Sequence, residues 1–251
     1  MATPYIKNEI ANGIATLSFF HPEHNSLPSN LLKELVDTIV DIGNNEAVKV
    51  MVLKSDGGTT FCAGASFQEL ISIDNEETGK LFFSGFANVI NAMRKCPKII
   101  IGSIHGKAVG GGVGIAAATD YCLATKFASI KLSELTLGIG PFVVAPAIER
   151  KIGIAALTQL TLDAKNFYSA EWAHSKGLYN KVYLDNNELD TAVEAMAQNL
   201  ANYNPSALIE LKKVLWKDTE NWDELLKERA AISGKLVLSA FTKEALKKFQ
   251  K

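Results

Sequence analysis

The chain has 251 residues, 47% of them hydrophobic and 21% charged, with a formal net charge of −1. These totals fit one large folded domain or a domain with an appendage, and the near-neutral charge makes no electrostatic case for nucleic acid as a partner. No apolar run approaches the length of a membrane span, and Met1 to Lys7 carries no charged-then-apolar leader; no membrane partner and a cytoplasmic location are expected. Cys62, Cys96 and Cys122 have no metal-ligand spacing and are expected to be reduced and buried.

In chain order, Asn12-Gly13 is a turn pair before the β-rich run Ile14 to Phe20, which predicts an opening hairpin. Ser29 is placed to cap a helix carrying Leu32, Leu35, Val36, Ile39 and Ile42 on one face, ended at Gly43-Asn44-Asn45. Val48 to Leu53 is a buried strand closed by Asp56-Gly57-Gly58. The small-residue segment Phe61-Cys62-Ala63-Gly64-Ala65-Ser66 follows, with Ser66 placed to cap a short helix. A longer helix is expected from about Thr78 to Lys95, with Phe82, Phe86, Val89, Ile90 and Met93 as its apolar stripe and Pro97 as its stop. Ile99 to Ile104 is a buried strand emptying into the glycine run Gly110-Gly111-Gly112, and Val113 to Ala118 reads as a helix. Tyr121 to Ala124 and Ser129 to Leu132 are short strands. From Pro141 the pattern is almost all helical: a helix capped by Ser169 and ended by Gly177, one striped by Leu189, Val193, Met196 and Leu200, one opened by Pro205, and a lysine-rich last helix from Thr242 to Lys251. The alternation predicts an α/β fold with parallel strands, split into a core over residues 1–185 and a helical region over 186–251.

Several chemistries can be set aside. Gly102 to Ala108 is one residue short of a P-loop and has Ala108 where a metal-binding hydroxyl belongs. Gly112-Val113-Gly114-Ile115-Ala116-Ala117 fits a dinucleotide fingerprint by letters, but seven residues separate it from the strand end, which is the wrong context. His21 and His24 lack a third ligand, so no metal is expected. The lysines after Leu211 are read as a solvated helix face. What remains is two glycine-bearing stretches, each ending a strand and opening a helix. Bare N–H groups from two such loops are what an oxyanion hole requires.

Three segments then make the pattern specific. Phe61-Cys62-Ala63-Gly64-Ala65-Ser66 resembles the F-x-A-G-A-D segment of the crotonase (enoyl-CoA hydratase/isomerase) family. His105-Gly106-Lys107-Ala108-Val109-Gly110-Gly111-Gly112 resembles its N-G-x-A-x-G-G-G segment, and Ser133-Glu134-Leu135-Thr136-Leu137-Gly138-Ile139 its P-E-x-x-L-G-I segment. Order and spacing agree, and the similarity runs from about residue 5 to the end.

The resemblance implies a spiral of ββα units with C-terminal helices that mediate a homotrimer or a dimer of trimers. It implies a coenzyme A thioester as substrate, with no separate cofactor. It places the two oxyanion donors on the backbone N–H groups of Ala65 and Gly111 and the acid/base on Glu134. Ser26, Leu27, Ala63, Gly64, Ser66, Phe67, Gly112 and Gly114 are the residues it implies for substrate binding.

The chain departs from the family at Gly114, where hydratases carry a first glutamate. Adding water conveniently uses two carboxylates, whereas a shift of a double bond needs one that removes a proton and returns it elsewhere. The expectation leans to isomerisation, with hydration as the alternative and a non-catalytic acyl-CoA-binding protein as the rival from another class. Glu69, Asp120 and Glu149 stay open as sources of a second carboxyl. Ser66 replaces an aspartate but keeps a capping oxygen, and His105 replaces an asparagine and is read as a hydrogen-bonded structural residue.

Overall fold

The computed structural model describes residues 2–248. Asn12 and Gly13 take positive φ angles of 53° and 77°, the backbone a tight hairpin turn demands. They fold β1 (Tyr5–Ala11) antiparallel onto β2 (Ile14–Phe20). After the short β3 (Ser26–Leu27) and helix α1 (Ser29–Asn44), the chain makes β4 (Val50–Ser55), β5 (Thr60–Cys62), β6 (Gly64–Ala65), α2 (Phe67–Ile71) and α3 (Glu76–Lys95). Next come β7 (Ile99–Ile104), β8 (Lys107–Val109) and α4 (Gly111–Ala118), then β9 (Tyr121–Thr125), β10 (Ile130–Lys131), a 3-10 turn (Glu134–Leu137) and α5 (Ala145–Leu162). The chain continues through α6 (Ala170–Ser175), β11 (Lys181–Tyr183), α7 (Asn186–Ala201), α8 (Pro205–Leu215), α9 (Trp222–Leu236) and α10 (Ala240–Lys247).

The long strands form one sheet in the order β1-β2-β4-β7-β9-β11, parallel from β2 onward. The short strands β10-β8-β5 form a second parallel sheet, and β3 pairs with β6 in a third. Each turn of the chain therefore lays one long strand in the first sheet and one short strand in another, then returns through a helix. That is the expected spiral of ββα units. The strands β4 and β7 read as nearly continuous apolar runs because both faces of the sheet are covered. Leu17, Met51, Leu53, Ile100 and Ile104 pack with α1, α3 and α4 on one side. Val50, Val52, Ile99, Ile101 and Leu123 pack with α7 on the other.

Three local expectations are corrected. Ser29 is the first helical residue and not the cap: Pro28 precedes α1 without a side-chain cap, and the Ser29 N–H and hydroxyl both donate to the Glu69 carboxylate, at 3.0 and 2.6 Å. The cap comes from α2, beyond the reach of local pattern. Lys212 is not on a solvated face. It is 3% exposed, lies 2.9 Å from the Asp120 carboxylate and donates to the Lys98 carbonyl at 2.8 Å. Thirdly, β11 interrupts the run expected to be all helix. The boundary expected at 185/186 falls between β11 and α7, and α7 shares the core of the first sheet. The expected last helix is observed as α10 to Lys247; its continuation to Lys251 reaches beyond the described residues. The three cysteines are free and buried.

Asp120 also accepts from the Ile100 N–H at 2.7 Å and the Trp216 indole N–H at 2.6 Å, so α8 is tied to the sheet through one buried carboxylate. Breaking a buried pair by removing one partner strands the other charge in low dielectric. Lys212→Met is therefore expected to lower stability by about 3–5 kcal/mol, read as a shifted urea midpoint. An unchanged midpoint would contradict the arrangement.

Candidate active site

Parallel pairing zips the two glycine-bearing segments together. In β5 and β8, Thr60 faces Lys107 and Cys62 faces Ala108. The segments lie so close that a Cβ on Gly112 would run into the Cys62 carbonyl, and one on Gly64 would lie 3.2 Å from the Val109 oxygen and 3.6 Å from the Gly111 nitrogen. The loop ends that carry Ala65 and Gly111 thus emerge side by side. On the first loop, β3–β6 pairing and a 2.9 Å bond from the Ser26 hydroxyl to the Ala65 carbonyl fix the peptide, and Ser66 caps α2 by accepting from the Glu69 N–H at 3.3 Å. On the second loop, Gly110 adopts φ 53°, ψ −114°, a backbone open to glycine alone. That kink starts α4 at Gly111, whose N–H, as the first of the helix, has no intrahelical acceptor and carries the positive end of the helix dipole.

Glu134 comes from the 3-10 turn after β10. β10 pairs with β8, which brings the turn over the glycine run. A Cβ on Gly110 would lie 3.0 Å from the Glu134 Oε1. Gly138, at φ 79°, closes the turn, and Ile139 N–H donates to the Glu134 carbonyl at 3.1 Å. From behind, α10 braces the turn: a Cβ on Gly138 would lie 2.5 Å from the Phe241 ring and 2.8 Å from the Thr242 hydroxyl. The Glu134 residue is only partly buried, but its Oε2 is sealed from solvent and has no hydrogen-bond partner. Burial pushes the carboxyl up to about 7, with its own backbone N–H pulling weakly the other way. A carboxyl tuned to that range can both take and give a proton near neutrality.

A cavity of about 380 Å³ joins these groups. Ser26, Ala63, Gly64, Ala65, Phe67, Gly111 and Glu134 line it, so the structure brings most of the expected residues together. Leu27, Ser66, Gly112 and Gly114 are not among its walls; Leu27 and Gly112 are packed inside the fold and Ser66 serves as a cap. The Gly114 position has no room for a side chain, since a Cβ there would lie 2.5 Å from Val144 Cγ1. Glu69 is spent on α1 and Asp120 on α8, and Glu149 is exposed on α5. None of the three lines the cavity. His105 lies outside it too. Burial favours its neutral form, with the Gly58 backbone pulling the other way, and its Nε2 is buried without a hydrogen-bond partner.

Beside the segment Gly140 to Val144, the sequence reading missed the walls made by Leu70, Phe82, Phe83 and Phe86, with Ser233 from α9. It also missed Glu23 and His24 at the exposed edge. Phe83 sits three residues before Phe86 and seven before Ile90, on the edge of the same stripe, so its spacing gives no separate signal of a cavity.

Backbone donors beside a buried, neutral-range carboxyl in an apolar cavity make up a site that can stabilise an oxyanion next to a carbon acid. A sequence model of the family described as enoyl-CoA hydratase/isomerase matches residues 9–250, and the chain belongs to that family of enzymes. A probable enoyl-CoA hydratase of Bacillus subtilis (strain 168) is 28% identical over 238 residues, covering 94% of this chain and 92% of the relative. A peroxisomal Delta(3,5)-Delta(2,4)-dienoyl-CoA isomerase of Arabidopsis thaliana is 29% identical over 231 residues, covering 86% and 81%. The crystal structure of an enoyl-CoA hydratase from Bacillus halodurans superposes with a TM-score of 0.90 over 97% of this chain and 99% of that one, at 21% identity, which speaks to the fold. Among the described residues no helix is long and apolar enough to cross a membrane, and no cluster of side chains suits a metal ion.

Proposed function

We propose that this enzyme moves a carbon–carbon double bond in an enoyl-CoA thioester, with Glu134 as its sole acid/base. In the forward direction the Glu134 carboxylate removes a proton from C2 of a 3-enoyl-CoA. The electron pair flows into the thioester oxygen, which the Ala65 and Gly111 amides receive. The Glu134 carboxyl then returns its proton to C4, and the double bond lies between C2 and C3. The observation that carries this reading is the Gly114–Val144 contact. It leaves the place of a first hydratase glutamate filled by a methyl group, so no carboxyl can reach the cavity from α4.

Hydration of a 2-enoyl-CoA is the second reading, favoured by Glu23, a second carboxyl on the same cavity wall, and by hydratases among the relatives. Steady-state assays with 3-enoyl-CoA and 2-enoyl-CoA of equal chain length separate the two. Isomerisation is expected to exceed hydration by about 100-fold in kcat/KM, the contribution of one positioned acid or base; faster hydration would overturn the proposal. The single-carboxyl argument has its own check. Gly114→Glu alone is expected to destabilise the fold against Val144 without adding hydratase activity, whereas Gly114→Glu with Val144→Ala is expected to raise hydration by about tenfold or more. A homotrimer or a dimer of trimers belongs to the same proposal, and light scattering on the purified protein tests it.

A further inference from the structure

Helix α3 runs along the cavity like a ruler. At one mark Phe86 lies against the Gly111 backbone so closely that a Cβ on that glycine would overlap its ring. Seven residues earlier, Gly79 touches α9: a Cβ there would lie 2.8 Å from the Gly234 Cα. At 1.5 Å per residue the two marks are roughly 10 Å apart. Phe82 and Phe83 line the cavity between them, and Ser233, beside Gly234, lines it at the crossing. The cavity therefore extends from the Gly111 backbone to Ser233, next to the place where two helix backbones meet. Ser233 is 1% exposed and its hydroxyl donates to the Arg229 carbonyl at 3.2 Å, so what it presents to a guest is chiefly its small size. Among the described residues no lysine or arginine lines the cavity.

Building on the reading that an acyl-CoA enters here, we infer that the acyl group is an uncharged chain of medium length whose tip rests at the α3–α9 crossing, and that Ser233 sets the accepted length. A free carboxylate at the tip would be desolvated among phenylalanines with no cation to receive it. A long chain would have to pass between Gly79 and Gly234, where the backbones are already in contact. A short chain would leave the Phe82 and Phe83 walls without contacts.

Calorimetric titration with saturated esters tests this without turnover. For the wild type, octanoyl-CoA is expected to bind about tenfold tighter than butyryl-CoA, palmitoyl-CoA no tighter than octanoyl-CoA, and suberyl-CoA, with its terminal carboxylate, about tenfold weaker than octanoyl-CoA. Ser233→Leu is expected to cost octanoyl-CoA about fivefold or more beyond what it costs butyryl-CoA. Ser233→Val gives the same sign should the larger residue unfold the protein, and Phe82→Ala is expected to improve palmitoyl-CoA relative to octanoyl-CoA. Tighter palmitoyl-CoA in the wild type, equal affinity for suberyl-CoA, or variants that weaken all esters alike would overturn the inference while leaving the acyl-CoA reading intact. Failure of every ester to bind would remove that reading, and this one with it.

Discussion

Replacing Glu134 by glutamine is expected to lower kcat by about 1,000-fold while leaving the affinity for an acyl-CoA within about twofold. The amide has almost the shape of the carboxyl, so the cavity wall survives. What disappears is the group proposed to carry the proton from one carbon to the other. A fall in affinity with kcat unchanged would mean that Glu134 binds substrate and does not react with it. A protein that only held acyl-CoA would show no turnover for the substitution to remove.

The same residue ties rate to pH and to stability. As the base of the first step it must be ionised, so kcat/KM with a 3-enoyl-CoA is expected to climb about tenfold per pH unit below the carboxyl's value and level off above it; burial places that value at about 7. The stability effect has the opposite sign. Burial raises the folded-state value from the ordinary 4.5, so between these limits the native state holds a proton that the unfolded chain has lost. Stability therefore falls as pH rises through this window and is lowest above it, by about 3 kcal/mol in all. Glu134→Gln removes the ionisation. Its effect on stability should be more favourable at pH 8 than at pH 5 by about that amount, measured by urea denaturation at the two pH values. Equal effects at both would show that the carboxyl is not held in a desolvated place.

Local chemistry made much of this legible in advance. The Asn12-Gly13 hairpin, the Ser66 and Ser169 caps and the Pro205 helix start each depend on residues within a few positions, and each is present. The two glycine-bearing loops could be read as a pair because their spacing, carried in three family segments, constrains them together. What escaped was set by partners distant in sequence. Ser29 is capped from Glu69, forty residues on, and Lys212 is buried against Asp120, ninety-two residues back. The phenylalanines of α3 escaped for a different reason. Phe82 and Phe86 repeat at helical spacing whether a core or a cavity faces them, so periodicity alone cannot separate packing from a ligand wall. The Gly114–Val144 contact was likewise invisible, although the missing glutamate was not.

Substituting Gly111 by alanine is expected to lower kcat/KM by about 100-fold, the range for loss of one oxyanion donor, with little direct cost to the helix. Gly111 opens α4, where alanine is the better helix former. The added methyl, however, would occupy the space of the Phe86 ring, which is itself only 6% exposed and held in the core. Something must move, and any shift of the Gly111 peptide would turn away the N–H proposed to meet the thioester oxygen. A second substitution identifies the cause. Phe86→Ala alone should destabilise by about 3 kcal/mol or more, as truncation of a buried phenylalanine does, yet in combination it makes room for the methyl. The double variant Gly111→Ala/Phe86→Ala should therefore recover about tenfold in kcat/KM over Gly111→Ala despite being less stable, a coupling that appears only between residues in contact. If the two losses multiply, the ring is not what displaces the amide. If Gly111→Ala turns over at the wild-type rate, the amide contributes nothing to the transition state. Separating rate from folding stability in this way matters at this position, because the same phenylalanine supports the core and packs against the proposed donor.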